Sequence, residues 1–167
     1  MYFKKILILL LISISAIAQL EKPTTWTSKV IQKEVAVGDE IEIEFTAKIQ
    51  KDWYLYSSDF SPELGPTVTE FKFKKSPDFQ TIGKVKPIHP KKKFDEIWGG
   101  DVTYFVLTGK FTQKVKILKE NPTITGNIDY QSCTDATGKC VPGNENFSIN
   151  IKTSAAKTTE FLKDTVV

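Results

Sequence analysis

Residues 40–49 read EIEIEFTAKI, with Ile41, Ile43, Phe45, Ala47 and Ile49 set alternately against Glu40, Glu42 and Glu44. A period of two puts the apolar side chains on one face and the carboxylates on the other, which is a β-strand with one buried and one wet side. The pattern recurs along the chain. TVTEFKFKK (67–75) sets Val68, Phe71 and Phe73 among polar neighbours, and TITGNIDYQS (123–132) aligns Ile124, Ile128 and Tyr130. FSINIK (147–152) does the same with Phe147, Ile149 and Ile151, and WTSKVIQKEVAV (26–37) predicts a first strand ended by Gly38-Asp39. VTYFVLTGKF (102–111) is apolar on both faces, as a central strand would be. FTQKVKIL (111–118) either continues it or follows a turn at Thr108-Gly109. The only helical pattern is a weak one in the tail, 155–164. About seven short strands separated by turn residues predict an all-β, immunoglobulin-like sandwich of two sheets.

The N-terminus sets the compartment. MYFKKILILLLISISAIAQL carries Lys4 and Lys5 before an apolar run from Ile6 to Ala18, and Ala16-Ile17-Ala18 is a small-x-small cleavage signal. This layout predicts a signal peptide over 1–18, a mature domain over 19–154 and a C-terminal tail over 155–167. An uncleaved anchor is the competing reading, but the run is shorter than the roughly 20 residues a bilayer crossing needs. The expected location is therefore exported and, in a bacterium, periplasmic. Loss of Lys4 and Lys5 takes the net charge from +3 to +1. So balanced a domain lacks the basic face of a nucleic-acid binder. Two cysteines and a single histidine, His89, are too few for a zinc site, so neither metal nor cofactor is expected.

Two stretches do not fit a plain sandwich. The first, 76–101, contains Pro77, Pro87, Pro90, the basic run KPIHPKKKF and then FDEIWGG. It reads as a long loop with at most a short strand near QTIGKVK, and a loop of that length is functional, flexible or a missed element. Within it, Asp95, Glu96, Ile97 and Trp98 form either an exposed functional turn or a hairpin approach that tucks Trp98 into the core. The second is YQSCTDATGKCVPG (130–143), which holds both cysteines, Cys133 and Cys140. In an exported protein they are expected to pair. A disulfide so local cannot tie two sheets together, so it bridges the tip of one hairpin. Closing a ring of about eight residues stabilises by about 2.5 kcal/mol, or roughly 50 mV in redox terms. Such a bond is either a modest structural staple or a disulfide meant to be opened, and the residues alone leave both open.

These segments resemble the N-terminal periplasmic domain of the thiol:disulfide interchange protein DsbD. Tyr130, Gln131, Ser132 and Cys133, followed after a short loop by Cys140 and Pro142, match that family's cysteine region. DWYLYS (52–57) resembles its aromatic strand, and DEIWGG (95–100) its cap loop. The resemblance covers roughly 25–152 and implies a stand-alone version of the domain, since the chain ends at Val167.

The resemblance implies a mechanism. Cys133 and Cys140 would carry out thiol–disulfide exchange as part of a protein-disulfide reductase system, with Cys140 joining the partner and Cys133 resolving. Electrons would come from a thioredoxin-like domain and pass to a periplasmic disulfide isomerase or a cytochrome c maturation thioredoxin-like protein. Ile97 and Trp98 would shield the sulfurs, Asp95 and Glu96 would stand beside them and raise the thiol pKa, and Lys139 would pull it down. Tyr54, Tyr56 and Tyr130 would surround the site, although the first two serve equally well as core. Two other readings make different predictions. A binding module with a purely structural staple predicts an inert, buried disulfide. A carbohydrate binder predicts Trp53 and Trp98 exposed on one face.

Overall fold

A computed structural model describes residues 21–154 except Ile97. The expected signal peptide, its cleavage point and the tail lie outside the described residues. Ten strands follow in order: β1 (Thr24–Val30), β2 (Glu40–Ile49), β3 (Tyr54–Tyr56), β4 (Glu70–Phe73), β5 (Phe79–Pro87), β6 (Lys91–Asp95), β7 (Gly100–Val106), β8 (Thr108–Ile117), β9 (Thr123–Thr134) and β10 (Lys139–Asn150). A 3-10 turn, Pro62–Leu64, is the one helical piece among the described residues, and no helix there is long and apolar enough to cross a membrane. The strands form a four-stranded sheet, β1-β2-β8-β5, and a six-stranded sheet, β10-β9-β3-β7-β6, in which β4 also pairs with β9. Every pairing is antiparallel.

The predicted strand 40–49 is β2, residue for residue, and Ile41, Ile43, Phe45, Ala47 and Ile49 are each at most 3% exposed. Burying each of the three isoleucines and Phe45 is worth about 1.5–3 kcal/mol, and Ala47 less. They meet an aromatic layer between the sheets: Phe45 packs against Phe71 (tilted) and Phe147 (edge to face) at centroid distances of 4.9 and 5.0 Å, and Phe111 lies 5.1 Å from both Phe71 and Phe105.

Three segments differ from the sequence reading. The first strand stops at Val30, because Val30 pairs with Ile43 and the chain must turn to enter β2. Residues 31–37 are instead irregular, with Val35 and Ala36 buried and Val35 packed in the main core. The apolar run 102–118 is two strands in different sheets. Leu107, at φ +63°, turns the chain from β7 to β8, and Gly109 fits against Phe105, whose ring a Cβ would meet at 3.0 Å. The largest correction concerns 76–101, which is not a loop. It contains β5, with a bulge between Ile82 and Lys86 and Gly83 at φ +68°, and the edge strand β6. The bulge breaks the two-residue period, and the lysines of β6 protect an exposed edge. DEIWGG is the tip of the β6–β7 hairpin, closed by the Asp95–Gly100 pair.

Alternation along the strands puts the cysteines on an unexpected side. In β9, Ile124, Ile128 and Tyr130 face the main core, so Cys133 has the opposite parity. In β3, Leu55 faces the core, so Tyr54 and Tyr56 share the face of Cys133. That outer face carries a second apolar cluster of Tyr56, Val102 and Cys133, with Tyr54, Phe60 and Leu64 packed around it.

Candidate functional site

Cys133 and Cys140 are directly opposed in the β9–β10 ladder and form a disulfide with a Cα–Cα distance of 4.1 Å. The hairpin turn beyond them runs over 135–138, with Gly138 at φ +66°. The two sulfur-bearing residues differ in access. Cys133 is 1% exposed, whereas Cys140 lies on the exposed edge strand. The Gln131 amide donates a hydrogen bond to Cys133 Sγ at 3.6 Å.

A cleft of about 390 Å³ opens over the disulfide. Its floor is Cys133, Cys140, Tyr54 and Tyr56, and its wall is the hairpin tip with Asp95, Glu96 and Trp98. β3 brings the tyrosines alongside, because Tyr54 pairs with Cys133 across the ladder. Their rings meet edge to face at 5.4 Å. Burial is the main cause that pushes both phenols above the ordinary tyrosine pKa. For Tyr54 the hydrogen bond with Tyr56 and the charges of Tyr56, Asp135 and Asp95 add to it. For Tyr56 the Asp95 charge adds while hydrogen bonds with Tyr54 and Trp98 oppose. Both are neutral hydrogen-bonding groups at neutral pH.

Asp95 organises the hairpin tip. It is 7% exposed, and it accepts hydrogen bonds from Tyr56 Oη at 3.4 Å and, through its other carboxylate oxygen, from the Trp98 amide at 3.4 Å. Its carbonyl accepts from the Gly99 amide at 2.8 Å. Lys93 Nζ approaches the carboxylate at 3.8 Å and sits 4.3 Å from the Tyr54 ring centroid and 5.4 Å from that of Tyr104. This cation over two aromatic faces, a contact worth about 0.5–2 kcal/mol, was invisible in the sequence while 86–94 read as a loop. The parity of β6, which puts Lys93 opposite Val102, is what reveals it.

The other sequence candidates fall in several places. Glu96 and Trp98 line the cleft and are exposed, Trp98 at 42%. Ile97 lies outside the described residues. Lys139, next to Cys140, forms an ion pair with Glu21. Tyr130 is not at the cleft but in the main core, where its hydroxyl donates to the Thr24 carbonyl at 3.1 Å and its ring packs on Trp26. Trp53 is half-buried against the same core, so it forms no exposed platform with Trp98. Phe60, Leu64 and Gly65, which no motif pointed to, back the hairpin tip from the far side.

Comparison with known proteins accords with this geometry. The family model described as "Thiol:disulfide interchange protein DsbD, N-terminal" matches residues 25–151. Among solved structures, the N-terminal periplasmic domain of ScsB from Proteus mirabilis is similar at 13% identity and a TM-score of 0.53, over 79% of this chain and 47% of that one. The chain thus spans about half of that relative's length. The Neisseria meningitidis DsbD n-terminal domain in the reduced form is similar at 17% identity and a TM-score of 0.48, over 76% and 86% of the two chains. The Neisseria complex of the DsbD and PilB N-terminal domains gives 14% identity and a TM-score of 0.46, over 77% and 88%. No curated protein matches the chain. On the strength of a family match across nearly all of the described residues, the chain belongs to the DsbD N-terminal family of thiol:disulfide interchange domains.

Proposed function

We propose that this protein relays electrons in the periplasm, taking them from a thioredoxin-like domain and passing them to exported acceptors of disulfide-isomerase or cytochrome c maturation type. The observation that carries the reading is the asymmetry of the pair: an accessible Cys140 bonded to a Cys133 that is 1% exposed. A partner thiolate attacks Sγ of Cys140, the S–S bond breaks, and Cys133 leaves as a thiolate that takes up a proton. The partner's second thiol then attacks the mixed disulfide and releases reduced Cys140. In the outgoing half-reaction the Cys140 thiolate attacks the acceptor's disulfide, and Cys133 resolves the mixed species. The buried sulfur is thereby reserved for the intramolecular step, and the exposed one meets partners. Asp95, Glu96 and Trp98 shield the pair between encounters, and Tyr54 and Tyr56 present neutral hydroxyls beside it.

The test is the reduction potential of the pair, measured by equilibrating the domain in glutathione and dithiothreitol buffers. A value between about −180 and −270 mV lies in the exchange-active range, whereas one below about −300 mV marks a structural staple and ends the proposal. Trapping tests the assignment of roles. Cys133→Ala should accumulate mixed disulfides through Cys140, and Cys140→Ala should accumulate none.

A further inference from the structure

Two glycines on different segments show how the hairpin tip over the disulfide is fastened. A Cβ on Gly65 would lie 2.2 Å from Cε3 and 2.3 Å from Cζ3 of Trp98, so the indole rests against bare backbone. A Cβ on Gly100 would lie 2.3 Å from Cδ2 of Leu64. Each segment therefore supplies one large apolar side chain and one glycine to receive the other's. The seat is itself ordered. The Ser61 hydroxyl accepts from the Glu63 amide at 3.3 Å, the Leu64 amide donates to the Ser61 carbonyl at 3.2 Å, and Gly65 closes the turn at φ +112°. Asp95 in turn accepts from the Trp98 backbone amide. Trp98 is thus oriented by Asp95 through its main chain and by Gly65 through its ring.

We infer that Leu64 and Gly65 are positioning residues that latch Trp98 over the disulfide and so set how readily an attacking thiolate reaches Cys140. The inference rests on Cys140 being the attacked sulfur. Trp98 and both cysteines line one cleft, so a thiolate that enters it passes the indole. Cys140 is exposed with the tip closed, so the latch narrows the approach rather than sealing it, and the attack rate rises with the fraction of molecules in which the tip is open. Contacts that favour the closed form lower that fraction without touching the sulfurs. Gly65 also needs its left-handed φ, which alone would make it a turn residue with no bearing on the cleft. The two roles differ in what a second substitution does.

The experiment measures the second-order rate of reduction of the Cys133–Cys140 disulfide by dithiothreitol in the full domain. In this reaction one reagent thiolate attacks Cys140, Cys133 departs as thiolate, and the reagent's second thiol closes its own cyclic disulfide. Gly65→Ala drives a methyl group into the indole and should speed reduction about tenfold, close to the rate of Trp98→Ala, since both raise the open fraction. The double variant Gly65→Ala/Trp98→Ala should be no faster than Trp98→Ala alone. Leu64→Ala should loosen the latch in the same direction by a smaller factor. Gly100→Ala, which forces Leu64 aside, should lose its effect when combined with Leu64→Ala. A wild-type rate for Gly65→Ala, or an acceleration that persists undiminished in the Trp98→Ala background, overturns the inference. Should Gly65→Ala fail to fold, Leu64→Ala and the Leu64→Ala/Gly100→Ala pair decide in the same way. These ratios need no physiological partner. A potential in the structural range would end the proposed relay while leaving them unchanged, and a failed latch would leave the potential unchanged.

Discussion

A disulfide that opens in every working cycle must not be what holds its domain together, and this can be tested quantitatively. Reduction removes the covalent closure of an eight-residue ring and nothing else. The twelve-residue β9–β10 register remains, and β9 is still paired to β3 and β4. Cys133 remains packed with Tyr56 and Val102. The expected loss is then the chain-entropy term alone, about 2.5 kcal/mol. That lowers the folding equilibrium roughly 70-fold and the midpoint by about 10 °C. It leaves a domain of ordinary stability folded. The assay is urea unfolding of the oxidised protein and of the protein kept reduced, monitored by near-ultraviolet circular dichroism. The slope with denaturant should change little, and the midpoint should shift. The same cycle links folding to redox chemistry. If the bond stabilises the fold by about 2.5 kcal/mol, the fold stabilises the bond equally, so the native pair should be harder to reduce than the urea-unfolded pair by about 50 mV. A loss beyond about 5 kcal/mol, or a reduced protein without native near-ultraviolet signal, would refute the reasoning. It would mean that the disulfide is structural.

Three further outcomes follow from particular contacts. Gly126→Ala should cost at least about 2 kcal/mol in urea unfolding, because the new Cβ would meet the Lys72 carbonyl at 2.2 Å and Phe147 at 2.5 Å, and neither backbone nor a packed ring yields easily; a neutral result would contradict the close β4–β9 approach. The Glu44 carboxylate is held below its usual pKa of 4.5, chiefly by its hydrogen bond with Lys29 and also by Lys110, against the opposing effect of burial. A lowered folded pKa makes its contribution fully present above pH 4.5 and lost as pH falls below it, so Glu44→Gln should flatten the acid limb of the stability profile; an unchanged limb counts against the ion pairs. Tyr54, Tyr56 and Tyr130 have raised pKa values caused first by burial. Their stabilisation is present below pH 10 and lost as pH rises above it, so their absorbance at 295 nm should appear together with alkaline unfolding; reversible ionisation of all three near pH 10 in folded protein would be inconsistent with their packing.

Some elements were legible because their physics is local. The alternation in 40–49 identified β2 to the residue, since Ile41, Ile43, Phe45, Ala47 and Ile49 all face the core; on the other face only Glu44 is buried, where it pairs with Lys29 and Lys110. The short spacing of the cysteines gave the hairpin disulfide, because so few residues between two strands admit little but a turn. Other elements were hidden. β6 turns Lys93 and Asp95 toward the cleft and has no apolar stripe, so KKKFD reads as solvated charge. The two ends of β10, at Cys140 and in 147–152, were readable, but not its continuity through Pro142 and Gly143, residues that argue against a central strand and are tolerated at an edge. The break at Leu107 leaves no mark in an apolar run, because a residue at φ +63° looks like its neighbours in sequence.

The sequence by itself determined an all-β sandwich, a local disulfide and, through its motifs, the family. Only the tertiary structure decided which face the disulfide occupies, that Cys140 is the exposed residue of the pair and Cys133 the buried one, and that Lys93, Leu64 and Gly65 belong to its surroundings. The physical reason is that strand periodicity specifies two faces without saying what covers each. Covering is done by segments distant along the chain, here residues 57–65 and the tip of the β6–β7 hairpin. Their contacts with Cys133 and Trp98 are fixed by the register of sheet pairing and by the close approach of backbone at two glycines.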